Sequence, residues 1–114
     1  MKTSELTGAA LDWAVAHSAG YTDWDSRTET FLGPVYGSAT RTRISPPEYS
    51  TDWSLAGPII EREKIGIGFD DEFGWLGIDM DGNYFMGETP LEGAMRCYVV
   101  SKMGAEIDIP EELA

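Results

Sequence analysis

The chain has 114 residues, a net charge of −12 at pH 7 and 42% hydrophobic residues. This composition predicts one globular domain spanning residues 1–114 with a modest core, and it excludes a disordered chain. Eleven acidic residues lie from Gly68 onward, against only Arg96 and Lys102. Direct binding to nucleic acid is therefore not expected, because it needs clustered Lys and Arg. The negative charge fits either simple solubility or a basic partner.

Cysteine content and apolar runs indicate where the protein works. Cys97 is the only cysteine, so no internal disulfide can form, which fits a reducing cytosol. No apolar segment follows Met1-Lys2, and no apolar run approaches 18 residues. We therefore expect neither a signal peptide nor a contact with the membrane.

The first predicted element is a helix that Thr7 caps and that runs to about Ser18, with Gly20 just after its end. Trp13 lies off the apolar stripe of this helix, so it either packs under the following loop or stays partly exposed. His17 is the only histidine. We interpret it as an ordinary surface residue, because a lone histidine supports neither a metal site nor acid–base chemistry.

Residues 21–50 are the least regular part of the chain, and Pro46-Pro47 excludes a helix there. A loop of thirty residues is uncommon in a compact domain. We therefore predict either a pair of short strands, at residues 30–35 and 40–44, or a functional excursion of the chain.

The central stretch, residues 49–63, combines several signals. Asp52 is a good helix N-cap, and Gly57-Pro58 predicts a break between one capped turn and further helical turns that end near Lys64. Two interpretations remain open. In the first, Asp52 caps, Trp53 fills the core and residues 61–63 form a solvated charged face. In the second, four of these side chains line a pocket or an interface, as tryptophan and arginine often do. The four are Asp52, Trp53, Glu61 and Arg62.

Residues 65–88 alternate with the period of β-structure. Strands are predicted at 65–69, 75–80 and 84–87, and Asp81-Gly82 is a strong hairpin signal. The glycines of the first strand suggest a close backbone approach. The acidic segment 79–83 does not fit a calcium loop, because its glycine stands at the fourth position and not the sixth.

Residues 89–104 carry the clearest helix pattern. Thr89 is the predicted cap, Pro90 takes the first helical position and Glu92 completes a capping box. Cys97 lies at the flank of the apolar stripe, and we interpret it as a half-buried thiol without catalytic function. Residues 106–110 could add an edge strand. The elements together predict an α+β fold, with an N-terminal helix, a small antiparallel sheet around Asp81-Gly82 and a C-terminal helix packed on it.

Three blocks of the sequence resemble the phage NinX-like family, whose members are small proteins of bacteriophages and prophages with no known function. The blocks are residues 2–16, residues 50–63 with their Ser-Thr-Asp-Trp and Gly-Pro-Ile-Ile-Glu-Arg-Glu segments, and residues 89–113. The resemblance implies a phage accessory protein in the bacterial cytoplasm. It implies no reaction, no cofactor and no catalytic or metal-binding residues.

Three functions are compatible with the sequence, which contains no recognisable catalytic motif. The first is a non-catalytic protein that binds a host protein or a small anionic ligand. Its candidate site comprises Trp13, Asp52, Trp53, Glu61, Arg62 and Arg96. The second is an acidic decoy for a basic host protein, which would present Asp70, Asp71, Glu72, Asp79, Asp81 and Glu88. The third, and least supported, is a small hydrolase that uses Asp52 and Glu61. Oligomeric state is left open by the sequence.

Overall fold

The computed structural model describes residues 1–34 and 41–114, which form three α-helices and two antiparallel sheets. The predicted α+β class, with helices at both ends and a sheet hairpin between them, is confirmed. The helices are α1 (Gly8–Ser18), α2 (Trp53–Glu63) and α3 (Pro90–Met103). The strands are β1 (Thr22–Asp25), β2 (Thr30–Leu32), β3 (Arg43–Ile44), β4 (Gly66–Asp70), β5 (Gly74–Ile78) and β6 (Tyr84–Gly87). The sheets have the orders β1-β2-β3 and β4-β5-β6.

The β4-β5-β6 sheet approaches α3 through glycine. A Cβ on Gly77 would lie 2.3 Å from the Gly93 carbonyl oxygen, and one on Gly87 would lie 2.3 Å from the Gly93 nitrogen. No side chain fits at these positions, so the sheet and the helix are in backbone contact. The close approach predicted for the glycines of β4 is wrong. A Cβ on Gly68, for example, would meet only the tip of the Ile78 side chain, at 3.4 Å.

The core lies between α1, α3 and the β1-β2-β3 sheet. Helix α1 buries consecutive residues on all sides because α3 covers one of its faces and the first sheet covers another. Helix α3 buries its apolar stripe in this core, at Leu91, Ala94, Met95, Tyr98 and Val99. The largest fully buried apolar side chains are Tyr98, Phe31, Leu6, Leu11, Met95, Val15 and Val99.

The β1-β2-β3 sheet was predicted only in part. The two expected strands exist but are shorter than predicted, because β2 ends at Leu32 and β3 begins at Arg43. The predicted residues 33, 34, 41 and 42 are not in strands, and those from 35 to 40 lie outside the described residues. Strand β1 was missed, because two of its four residues are aspartates, which are depleted in strands. Trp24 explains the strand: its ring packs 4.9 Å from that of Phe31, so tertiary packing outweighs propensity.

Helix α2 runs without interruption through Gly57-Pro58, so the predicted break is wrong. A proline disfavours helical backbone in the preceding residue through a clash with its Cβ, and Gly57 has none. The remaining costs are one lost backbone hydrogen bond and the contact of the proline ring with the carbonyl of Ser54. Lys64 ends the helix in the left-handed region, with φ of 56°, near the predicted position.

Helix α3 begins as predicted, but its capping box is only half formed. The Thr89 side chain accepts a hydrogen bond from the Glu92 N–H (3.1 Å). The Glu92 carboxylate accepts from the N–H of Glu88 (2.9 Å) and not from that of Thr89. It also accepts from the Thr7 hydroxyl (2.7 Å). Thr7 stands at the N-cap position of α1, as predicted, but its side chain makes no cap hydrogen bond and instead ties the start of α1 to the first turn of α3.

The predicted edge strand at 106–110 is wrong. This segment makes one isolated bridge, Lys2 with Glu106, and Met1 and Ile107 exchange two hydrogen bonds of 3.0 Å beside it. The segment therefore holds the N-terminus and does not extend either sheet.

Candidate binding surfaces

Trp13 is a core residue. Only 7% of it is exposed, and its ring stacks on His17 at 5.0 Å and packs against Phe31 at 5.5 Å. Its indole N–H has no partner among the described residues. Of the two placements that the sequence left open, packing under the following segment is the one observed. His17 is exposed on the helix surface, as predicted.

Asp52 caps the N-terminus of α2 and Trp53 is its first residue, but their side chains have different surroundings. Asp52 accepts hydrogen bonds from the Ser54 hydroxyl (2.6 Å) and N–H (2.9 Å), which hold the pKa of its carboxyl below the usual value. Trp53 is 54% exposed, so the interpretation that it fills the core is wrong. Its ring lines a cavity of about 230 Å³ beside the start of α3. The other lining residues are Ser50, Thr51, Thr89, Pro90 and Leu91.

Arg62 belongs to a small charge network at the end of α2. Its Nε donates to the Glu63 carboxylate (3.1 Å), which also pairs with Lys102 Nζ (3.0 Å). Lys102 and then Arg62 hold the pKa of Glu63 below its usual value. Glu61 is exposed beside them. These residues therefore largely neutralise one another on the surface.

The Arg96 side chain binds three different parts of the structure. Its Nε donates to the Leu6 carbonyl (2.8 Å), and its Nη1 donates to the Met86 carbonyl (2.9 Å). Its Nη2 lies 3.3 Å from the Glu92 carboxylate, and both side chains are largely buried, with 13% and 12% exposed. Arg96 thus joins the N-terminal segment, β6 and α3. It also lines a cavity of about 330 Å³.

The six candidate residues do not converge on one surface. Arg62 lies beside Tyr98 of α3, with which it interacts electrostatically. Tyr98 and Arg96 are two positions apart, which is about 200° around a helix. The two arginines therefore lie on different sides of α3, and among the described residues neither forms an ion pair or a side-chain hydrogen bond with Asp52 or Glu61.

A different surface stands out on the β4-β5-β6 sheet. Because Gly77 and Gly87 face α3, the alternating residues of β5 and β6 point to the opposite side. Tyr84 is 57% exposed there and Met86 48%. Phe73, in the turn before β5, is 46% exposed, and its ring lies 6.4 Å from that of Tyr84. We call this apolar surface the outer face. It comprises Phe73, Leu76, Ile78, Tyr84 and Met86.

Acidic residues flank the outer face at both ends. Three lie around the β4–β5 turn with a fourth just after β6, and two lie in the β5–β6 turn. None of the six pairs with a basic side chain of the described residues. Asp79 accepts three hydrogen bonds from Asp81 and Asn83, and those from Asn83 contribute most to keeping its pKa below the usual value. The six are the predicted decoy residues Asp70, Asp71, Glu72, Asp79, Asp81 and Glu88.

Sequence reasoning missed the outer face for a specific reason. The period of two in β5 and β6 shows that alternate residues share a side, but it does not show which side α3 covers. The sequence signal for this orientation was the set Gly77, Gly87 and Gly93, whose lack of side chains allows the backbone contact.

The described residues contain no cluster of three or more His, Cys, Asp or Glu that could hold a metal ion.

A family model described as "Bacteriophage P22, NinX" matches residues 2–102. The chain belongs to this NinX family. The NinX match covers both sheets, α1, α2 and all of α3 except its last residue, so the fold and the outer face both lie within it. A search of curated proteins finds no match. None of the helices in residues 1–34 and 41–114 is long and apolar enough to cross a membrane.

Proposed function

We propose that this NinX-family chain is a phage accessory protein that binds a basic protein of the bacterial host in the host cytoplasm, without catalysis. The observation that carries the proposal is the outer face: an exposed apolar surface with unpaired carboxylates at both ends. Contiguous exposed apolar surfaces are uncommon on proteins that act alone, and they often mark interaction sites.

The distribution of charge supports a basic partner. Arg96 and Lys102, the two basic residues after Gly68, are each paired with a glutamate. The carboxylates of the two sheet turns therefore dominate the field around the outer face. Such a field attracts cationic partners and accelerates their association. Tyr84 and Met86 would supply the desolvated centre of the interface, where a few aromatic and apolar side chains usually contribute most of the affinity.

The two other functions have less support. A small anionic ligand would need a free cation, yet Arg62 and Arg96 are both bound to carboxylates. A hydrolase that uses Asp52 would need this carboxyl to exchange protons. The Ser54 hydroxyl and N–H instead hold it in a helix cap with a lowered pKa.

The test begins with capture of partners from phage-infected host lysate, followed by titration of the purified partner. We expect a basic protein whose affinity falls as salt is raised, because the Debye length shrinks from about 10 Å at 0.1 M to about 3 Å at 1 M. The double variant Tyr84→Ser/Met86→Ser should bind about tenfold or more weakly, since central interface residues are worth about 1–2 kcal/mol or more each.

Met103→Ser provides the matched control, because Met103 is also partly exposed (38%) but lies at the end of α3, on no sheet strand. Its affinity should equal that of the wild type. An acidic partner, binding that is independent of salt, or equal losses in both variants would contradict the proposal.

A further inference from the structure

The two edges of the β4-β5-β6 sheet differ in which backbone groups are free. The Asp79 N–H donates to the Asn83 carbonyl, which fixes the alternation of the hairpin ladder. By this alternation, the backbone N–H and C=O groups of Phe85 and Gly87 bond to β5. Those of Met86 point away from the sheet at the β6 edge. The same alternation carried across β5 directs the N–H and C=O groups of Ile67 and Phe69 away from the sheet.

The β6 edge is covered. Arg96 donates to the outward Met86 carbonyl, and the Glu92 carboxylate accepts from the outward Glu88 N–H. The side chains of Arg96 and Glu92 thus occupy the place beside β6 that a neighbouring strand would take. Natural proteins protect edge strands in such ways because unpaired edges are templates for further strands.

The β4 edge has no such cover. Among residues 1–34 and 41–114, no hydrogen bond outside the sheet reaches the backbone of Ile67 or Phe69. Ile67 is 36% exposed and Phe69 60%. Gly66 and Gly68 carry no side chains on the outer-face side, which leaves space beside the edge. The free edge and the outer face are therefore continuous.

We propose that the partner inserts an extended segment that pairs with β4 as a fourth strand of this sheet, an inference that rests on the proposed function. Strand addition gains affinity from main-chain hydrogen bonds and specificity from alternating side-chain contacts. The segment carries apolar residues toward the outer face and Lys or Arg beside Asp70, Asp71 and Glu72. A second copy of this chain fits the edge less well, because two chains of charge −12 repel each other.

The probe is a synthetic heptapeptide of alternating lysine and valine, compared with the same peptide N-methylated at every peptide nitrogen. Both peptides carry equal charge, but the methylated one cannot donate hydrogen bonds to an edge. We expect the unmodified peptide to bind about tenfold or more tightly, since several hydrogen bonds are lost at once. Binding should also protect the Ile67 and Phe69 amides from hydrogen exchange.

On the protein side, Ile67→Pro removes an outward N–H and leaves the bonds between β4 and β5 in place, because proline is tolerated where an edge N–H faces solvent. Ile67→Ala is the matched control, since it removes the side chain and keeps the N–H. Circular dichroism checks that both variants fold. The proline variant should bind the unmodified peptide about tenfold or more weakly than the alanine variant.

Three results would overturn strand addition: no binding of the unmodified peptide, equal binding of the two peptides, or a concentration-dependent dimer that Ile67→Pro abolishes. Equal peptide affinities together with salt-dependent binding through Tyr84 and Met86 would remove strand addition and leave the proposed function standing. A captured partner that is not basic would remove the proposed function itself.

Discussion

Replacing Gly77 by alanine tests the contact on which the assignment of the outer face depends. The new Cβ would lie 2.3 Å from the Gly93 carbonyl oxygen, 2.6 Å from its carbonyl carbon and 2.8 Å from Ala94 Cα. These are all backbone atoms, so none can rotate away. Since ordinary contact begins at 3.4 Å, α3 and β5 must separate by about 1 Å.

That separation is difficult, because α3 also packs against α1 and α2. Overpacking a well-filled core costs about 1–3 kcal/mol, occasionally more. The new Cβ is fixed to the backbone of β5 and clashes with the backbone of α3, so the cost belongs at the upper end of this range. We therefore expect the free energy of unfolding to fall by about 3 kcal/mol from a total of about 5–15 kcal/mol. The melting temperature should fall by about 10 °C or more.

Urea unfolding followed by tryptophan fluorescence measures the loss, and Gly68→Ala is the matched control in the same sheet. Its Cβ would face the outer side and meet only the flexible end of Ile78, at 3.4 Å. Alanine in a strand interior is favoured over glycine by about 0.5–1 kcal/mol, so the control should be neutral or slightly stabilised. Equal stability of Gly77→Ala and wild type, or equal damage by both substitutions, would show that α3 does not cover the Gly77 side. The outer face would then be assigned wrongly.

Three further predictions concern buried polar groups. Burial raises the pKa of Asp12, against hydrogen bonds from Ser50. The stability that Asp12 contributes is therefore fully present below its unfolded pKa and is lost as pH rises through the higher folded value. Asp12→Asn should lose this decline, which begins near the ordinary carboxyl pKa of 3.8, in urea titrations at a series of pH values, and an unchanged profile would contradict it. Burial raises the pKa of Cys97 to about 11, so iodoacetamide at pH 8 should label it only in the unfolded protein, and rapid labelling of the native protein would refute this. Arg96→Leu leaves Glu92 largely buried without its cation and should reduce the free energy of unfolding by about 3 kcal/mol, whereas a change below about 0.5 kcal/mol would mean that the pair is not buried in solution.

The elements with local signals were predictable from the sequence. Asp81-Gly82 between alternating segments gave the hairpin, and Thr89-Pro90 gave the start of α3. One failure has a local cause, and the others come from interactions beyond a few residues. The break at Gly57-Pro58 is a local expectation that the absence of a Cβ on Gly57 overrides. Strand β1 forms because Trp24 packs on residues distant in sequence.

The candidate site was harder to predict than the fold. Sequence identified Arg62 and Arg96 as charged residues in excess of packing needs, but it could not show that each is neutralised by a nearby glutamate. It named the acidic residues around the two sheet turns, which lie at the two ends of the outer face, and their role toward a partner stays a prediction. The apolar centre between them became visible only when the glycine contact with α3 fixed the orientation of Tyr84 and Met86.

The most direct test of the central claim is an NMR map of backbone amide and methyl shifts during titration with the lysine–valine peptide. A basic ligand that uses the outer face should shift the signals of β4, Tyr84 and Met86, and added salt should reverse the shifts. Shifts confined to α1 or to Trp53 would show that a basic ligand binds elsewhere, and they would contradict the account.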